Sequence, residues 1–319
     1  MSWLIYSLVI PISLIVALHV LSHMLPGRLS EFSAFWARAL TSIIALSICA
    51  TYGSIASAVL RLVGYGGLSQ WTTARAFKWT MWWGTGVTFR ILDSGRTEAG
   101  RRGGEEALLE RPAVFVGNHQ SELDILLLGC MFPQYCSVTA KKSLKYTPFL
   151  GWFMALSKTV FIDRADRKTA RAAMSGAAMQ MQKEKHSVFI FPEGTRSYAE
   201  KPELLPFKKG AFHLAIQAQV PIVPVVAANY SHVLNMKKWI FRSGEIDFSV
   251  LPPIQTKGMT AADVDALCVR VREAMQEELI RLSHVTDTGN GAAPAHLPRG
   301  SFEGANDGDL RRRAVKNEL

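Results

Sequence analysis

Hydrophobic and polar positions divide the chain into three stretches of different rhythm. Residues 3 to 25 carry no charged side chain apart from any protonation of His19 and His23, and residues 39 to 60 are likewise uncharged. The second run makes about 33 Å of helix, enough for a hydrocarbon core of roughly 30 Å. The first is weaker, because Pro11 interrupts it and its serines lower its hydrophobicity. A cleaved signal peptide is the alternative reading of that first run, although no basic residue precedes it. The expectation is a membrane-attachment region over residues 1–95, as spanning segments or as a hairpin in one leaflet. Within it, residues 77 to 91 carry Trp79, Trp82 and Trp83 between Lys78 and Arg90. That stretch is too short for a comfortable span, and reads as an element at the membrane interface or as a core helix with an aromatic face.

From residue 110 the rhythm changes, and short apolar runs alternate with longer amphipathic ones. Predicted strands cover residues 113–117, 136–140, 159–162, 187–191, 222–228 and 247–251. Predicted helices cover 122–131, 167–185, 209–218 and 261–282. Strand–helix alternation argues for an α/β domain over residues 96–284, with a largely parallel or mixed sheet flanked by helices. Residues 285–319 are rich in Gly, Ala, Asp and Arg with few large apolar side chains, and are expected to be a disordered tail.

Composition sharpens this picture. The chain is 49% hydrophobic with a mean hydropathy of +0.12, high for a soluble enzyme, and the excess lies in the N-terminal runs. A net charge of +10 would suit nucleic acid, but Lys and Arg are scattered and no nucleic-acid module is present. With apolar runs this long, membrane lipids with anionic headgroups are the expected partner. The four cysteines lack CxxC spacing and read as ordinary thiols in a reducing compartment, with no metal site. Oligomeric state has no signature here.

The candidate chemistry falls just after predicted strands: His119 after the first, Asp163 and Arg164 after the third, residues 192 to 196 after the fourth. In open α/β sheets, ligand sites gather at the carboxyl ends of strands. His119 and Asp124 would point about 140° apart on one regular helix. They can meet if His119 lies in the turn and Asp124 in the first helical turn, a start that Ser121 supplies: "SELD" reads as a capping box. Asp124 then either serves only as a cap or fixes the imidazole tautomer of a general base. Ser121 and Cys130 are the nearby nucleophile candidates, but Ser121 is better used as the cap, so direct attack by a substrate hydroxyl fits best.

"FPEGTR" places Glu193, Gly194, Thr195 and Arg196 in a tight turn. The arginine fork suits a phosphate, and Glu193 could orient it or accept from a substrate hydroxyl. A surface Glu–Arg pair is the plainer alternative. "VPIVPV", residues 220–225, carries two prolines that argue against an ordinary central strand, leaving an edge strand or a pocket wall.

"NHQSELD", "VFIDR", "FPEGTR" and "VPIVPV", in this order, resemble the four blocks of the glycerolipid acyltransferase family. "AKKSLKYTPFLGWFMALSKTVFIDR" and "FPEGTRSYAEKPELLPFKKGAFHLA" look more narrowly like the eukaryotic 1-acyl-sn-glycerol-3-phosphate acyltransferases of the fungal-type branch. The resemblance covers roughly residues 110 to 255. It implies that His119 is the general base and Asp124 its partner, acting on the sn-2 hydroxyl of lysophosphatidic acid as it attacks acyl-CoA. Arg164, Arg196 and Lys141 would hold the acceptor phosphate, aided by Glu193, with Gly194 and Thr195 shaping the turn. It implies acyl-CoA as co-substrate, no metal or bound cofactor, and an endoplasmic-reticulum membrane location. One departure stands out: Lys158 lies where the second block more often has a glycine.

Overall fold

The computed structural model describes residues 2–92, 103–163 and 166–287. It opens with two apolar helices, α1 (Ser2–Met24) and α2 (Gly27–Leu62), joined through Pro26 and a left-handed Gly27. α1 runs through Pro11 unbroken. α2 is long and apolar enough to cross a membrane. It starts earlier than the uncharged run, taking in Arg28, Glu31 and Arg38. Arg38 is accommodated because its guanidinium donates to the carbonyls of Thr85 and Phe241, at 3.3 and 3.1 Å.

α3 (Ser69–Thr85) and β1 (Val87–Leu92) divide the tryptophan-rich stretch that the sequence presented as one element. Gly86, at φ 69°, caps the helix in the left-handed region and ends it, and Val87 and Phe89 then turn inward with the period of a strand. Phe77 and Met81 face the core, while Trp79, Trp82 and Trp83 are exposed.

The α/β part follows as β2 (Val114–Gly117), α4 (Asp124–Met131), β3 (Cys136–Lys141), α5 (Leu150–Leu156), β4 (Val160–Ile162), α6 (Arg167–Glu184), β5 (Ser187–Ile190), α7 (Gly210–Ala218) and β6 (Ile222–Ala227). A short hairpin of β7 (Leu234–Asn235) and β8 (Ile240–Phe241) precedes β9 (Gly244–Val250) and α8 (Val264–Asp287). Seven strands form one sheet in the order β1-β9-β6-β2-β5-β3-β4, parallel throughout except where β6 meets β9. The expectation of a largely parallel or mixed sheet flanked by helices is met.

The Pro-interrupted β6 is an interior strand, between β9 and β2. Pro221 precedes it and accepts from Val114 N–H at 2.9 Å; Pro224 sits just before the ladder to β9 and offers only its carbonyl, to Leu251 N–H at 2.9 Å. Neither position calls on the missing N–H, so the usual exclusion from central strands does not apply.

Alternation along each strand sends side chains to two cores. Phe115, Phe189, Val223 and Val225 face one side with Leu127 and Phe77; Val114, Val116, Val188 and Ile190 face the other with Phe212, Met275 and Leu279. Strands β2, β5, β3 and β4 run the same way, so the polar loops that follow them leave one edge of the sheet together.

Lys158 takes φ 61°, the left-handed region that favours glycine, which gives the glycine more usual there a backbone reason. Its ammonium bonds the Glu184 carboxylate at 2.6 Å.

α2 approaches α3 and α5 at Gly53, where a Cβ would lie 2.6 Å from both Phe153 and Thr73 side chains. Gly53→Val is expected to push these helices apart and lower stability by about 1–3 kcal/mol, read as a lower melting midpoint of the detergent-solubilised protein.

Candidate active site

Gly117 ends β2, and the next residues are tied down one after another. Asn118, fully buried, extends the sheet by side chain: its amide donates to the Ala227 carbonyl and its oxygen accepts from Ala227 N–H, both at 2.9 Å. The Gln120 amide reaches the carbonyls of Ala227 and Ala228 at 3.2 and 2.9 Å. Between them His119 turns outward, its ring stacked on Phe191 with centroids 4.2 Å apart.

The His119 Nδ1 and Asp124 Oδ2 lie 2.7 Å apart. The helix begins at Asp124 itself, slightly later than predicted, and the turn ahead of it lets the two side chains meet. Asp124 is 1% exposed, and its carboxylate takes part in four hydrogen bonds. Oδ2 also accepts from the backbone N–H of Gln120 at 2.7 Å and of Ser121 at 3.1 Å, while Oδ1 accepts the Tyr230 hydroxyl at 2.7 Å. The carboxylate closes the turn ahead of the helix and holds the imidazole, whereas the predicted capping box is not formed: the helix start at Leu123 has no side-chain cap. Burial and the adjoining Asp124 charge push the Tyr230 phenol well above its ordinary range, so it remains a donor. Tyr230, more than a hundred residues downstream, carries no local motif.

The His119 Nε2 makes no hydrogen bond among the described residues and is free for a proton. Neither nucleophile candidate stands ready. Ser121 Oγ is engaged with the Tyr230 hydroxyl at 3.1 Å and accepts from Leu123 N–H at 3.2 Å; the Cys130 thiol is pushed up by burial, away from thiolate.

The loop after β5 closes over this turn. Glu193, buried, accepts from His119 N–H at 2.7 Å and Leu205 N–H at 3.1 Å. Its two oxygens each accept a backbone N–H, and no bond joins it to Arg196 among the described residues, which corrects the expectation that it orients that arginine. Glu122 does so instead: its Oε1 bonds Arg196 Nη1 at 2.8 Å and the Tyr198 hydroxyl at 2.7 Å. Further bonds from Ser197 N–H to the His119 carbonyl and from Tyr198 N–H to the Gln120 carbonyl clamp the two loops. Gly194 takes φ 69°, the left-handed region that favours glycine.

A cavity of about 470 Å³ opens in front of His119. Thr195, Arg196, Tyr198 and Lys141 line its polar end, and Leu46, Phe77, Ile125, Leu128, Phe132 and Phe153 its apolar reach under α2 and α3. Asp163 bonds Lys142 at 3.1 Å. Arg164 lies outside the described residues, as do residues 288–319 of the tail.

A family model described as acyltransferase matches residues 100–228. The fold agrees: the crystal structure of the 1-acyl-sn-glycerophosphate acyltransferase PlsC from Thermotoga maritima superimposes with TM-score 0.60 at 22% identity, covering 83% of this chain and 98% of that one. A 1-acyl-sn-glycerol-3-phosphate acyltransferase of Saccharomyces cerevisiae is 42% identical over 250 residues, 78% of this chain and 79% of the relative. An uncharacterised acyltransferase of Schizosaccharomyces pombe is 47% identical over 239 residues, 74% of this chain and 81% of the relative. The human 1-acyl-sn-glycerol-3-phosphate acyltransferase beta is 36% identical over 280 residues, 84% and 93% of the two chains. The chain belongs to the 1-acyl-sn-glycerol-3-phosphate acyltransferase family.

Burial raises the Glu193 carboxyl from 4.5 to about 7, against the two N–H donors that lower it. An acid raised in the folded state is charged there at a penalty, absent below its unfolded value and complete once pH exceeds the folded one. Stability should therefore fall between about pH 5 and 8, by up to about 3 kcal/mol. Glu193→Gln is expected to flatten that part of the melting-midpoint-against-pH curve; an unchanged slope would assign it to another group.

Proposed function

We propose that this chain transfers an acyl group from acyl-CoA to the sn-2 hydroxyl of 1-acyl-sn-glycerol 3-phosphate, giving phosphatidic acid, with His119 as general base and Asp124 as its orienting partner. The observation that carries this reading is the 2.7 Å contact between His119 Nδ1 and a buried, fully hydrogen-bonded Asp124, with Nε2 unoccupied at the head of an apolar cavity. Such a carboxylate fixes the tautomer with the proton on Nδ1 and stabilises the imidazolium that forms.

The acceptor oxygen attacks the thioester carbonyl as Nε2 takes its proton. The tetrahedral adduct collapses by breaking the C–S bond, and coenzyme A leaves as a thiolate that takes the proton back from the imidazolium. Hydroxyl, proton and sulfur balance without an enzyme nucleophile, metal or bound cofactor. Arg196 and Lys141, on the cavity wall, are assigned to the acceptor phosphate, and the family resemblance adds Arg164 as a third cation. Glu122 keeps Nη1 of Arg196 occupied, which leaves the rest of the fork for a phosphate oxygen. Gly194 and Thr195 shape this wall, and Glu193 holds the loop to the His119 backbone. The apolar reach is assigned to acyl chain.

We place the protein in the endoplasmic-reticulum membrane, held by α1 and α2; its likeness to eukaryotic members supports this. The same base would serve glycerol 3-phosphate or a lysophospholipid with a capped headgroup, and the acceptor panel below separates them.

Coenzyme A release from oleoyl-CoA by the detergent-purified protein is expected with lysophosphatidic acid and to be weak with lysophosphatidylcholine or glycerol 3-phosphate. His119→Ala and Asp124→Asn should each lower kcat by about 10²–10⁴. Retention of wild-type turnover in His119→Ala would overturn His119 as the base, whereas no release with any acceptor from well-folded wild-type protein would leave a non-catalytic, anionic-lipid-binding membrane protein. Arg196→Ala should raise KM for lysophosphatidic acid by about 10-fold or more while leaving KM for acyl-CoA near its starting value.

A further inference from the structure

The stretch between β3 and α5 has no part in the chemistry above except where it meets the cavity, and its surface is unusual. Every residue from 141 to 149 is exposed. Tyr146, Phe149 and Trp152 are the large aromatics there, 77%, 43% and 58% exposed. Residues 141 to 158 hold Lys141, Lys142, Lys145 and Lys158 and not one Asp or Glu. Lys142 and Lys158 are paired with Asp163 and Glu184, whereas Lys145 makes no ion pair among the described residues.

This is not a slack loop. Lys142–Tyr146 forms a 3-10 turn, and its Lys145 carbonyl approaches Gly151 so closely that a Cβ there would lie 2.2 Å away. Phe149 takes φ 60° and ψ −60°, closed by a Leu150 N–H to Pro148 carbonyl bond of 2.6 Å. That is the γ-turn of the rare, strained hand, a conformation an aromatic residue adopts only when the surroundings impose it. Its effect is to hold the Phe149 ring outward, edge-on to Trp152 at 5.3 Å. The fold thus spends backbone strain to expose an aromatic pair beside unpaired positive charge.

The neighbouring surface continues the pattern. Arg61 at the end of α2 donates to the Leu156 carbonyl of α5 at 2.7 Å. Along α2 the exposed apolar residues Ile48, Tyr52, Ile55, Val59 and Leu62 recur at three- and four-residue spacing, one outward stripe. Leu144, Leu150 and Phe153 line the cavity from the same stretch.

We propose that residues 142–152 form a second membrane contact, distinct from α1 and α2, in which Tyr146, Phe149 and Trp152 enter the interfacial layer of an anionic bilayer beside Lys142 and Lys145, so that the cavity mouth opens against the lipid surface. Aromatic rings with a wet edge and lysines beside anionic headgroups are the two groups that favour this layer. An acceptor with one long acyl chain then enters sideways from the bilayer rather than through water. The inference rests on the membrane and acyl-transfer readings above, and its first test is independent of turnover.

The full chain is reconstituted in vesicles of phosphatidylcholine and phosphatidylserine, the former brominated along its acyl chains. The wild-type minus Trp152→Phe difference emission is expected to be quenched relative to the same difference in unbrominated vesicles. Equal difference emission in both would put Trp152 outside the bilayer and overturn the proposal, leaving a protein partner for this face. In the second arm, Lys145→Glu should lose roughly fivefold in initial rate on phosphatidylserine-containing vesicles, and keep its rate in neutral detergent micelles. An equal loss in both formats would make Lys145 part of substrate binding instead, and would also overturn the proposal. Should wild-type protein turn over no acceptor at all, the acyl-transfer reading fails while the quenching result still decides the contact.

Discussion

A carboxylate with no access to water constrains this molecule more than any other single group. Leaving Asp124 buried and unpartnered would cost several kcal/mol, and the chain answers with donors from three places: the His119 ring, the N–H groups of Gln120 and Ser121, and the hydroxyl of Tyr230. Each requirement propagates. Tyr230 is in reach only because β6 lies beside β2, and the turn after β2 holds its shape because Asn118 continues the ladder to Ala227 where the strand itself has stopped. The pairing of two strands and the orientation of one imidazole are in this sense a single interaction network.

A second carboxylate, Glu193, is also buried, and burial raises its proton affinity against the two N–H donors it receives. Asp124 holds the His119 ring and the turn around it; Glu193 serves as a brace between loops. The half-buried pair Glu122–Arg196 lies between these buried acids and the cavity.

Much of this was legible in the sequence, and for identifiable reasons. Alternation of apolar runs placed most strands and helices of the α/β part within a few residues, because each of these buries an apolar face; the short α5 and the β7–β8 hairpin lay in no predicted element. The meeting of His119 with Asp124 followed from helix geometry and a capping pattern, both local, although the capping box itself is not formed. What escaped was long-range or hidden by composition. Tyr230 has no neighbouring motif; Glu122 carried no assigned role, and Glu193 looked like the partner of the arginine three residues on. β1 was lost inside a tryptophan-rich run because apolar content is the same in a helix and a strand, and only Gly86 marks the change. The prolines of β6 misled because the rule against them concerns N–H groups the sheet needs, and at these two positions it needs none. Lys158, by contrast, was flagged by a missing glycine, and its positive φ shows what that glycine would have relieved.

The clamp between the loops after β2 and β5 has a consequence for selectivity. Four contacts, from Glu193, Ser197, Tyr198 and Arg196, join the histidine turn to the arginine turn, all of them made by the chain's own groups. On the proposed reading, the position of the His119 ring then rests on the fold, and choice among acceptors falls to what the cavity wall admits and how deep a chain can run. The heptapeptide that carries the histidine is for the same reason not portable: moved to another strand-to-helix turn, it would arrive without the tyrosine and the brace that make its geometry.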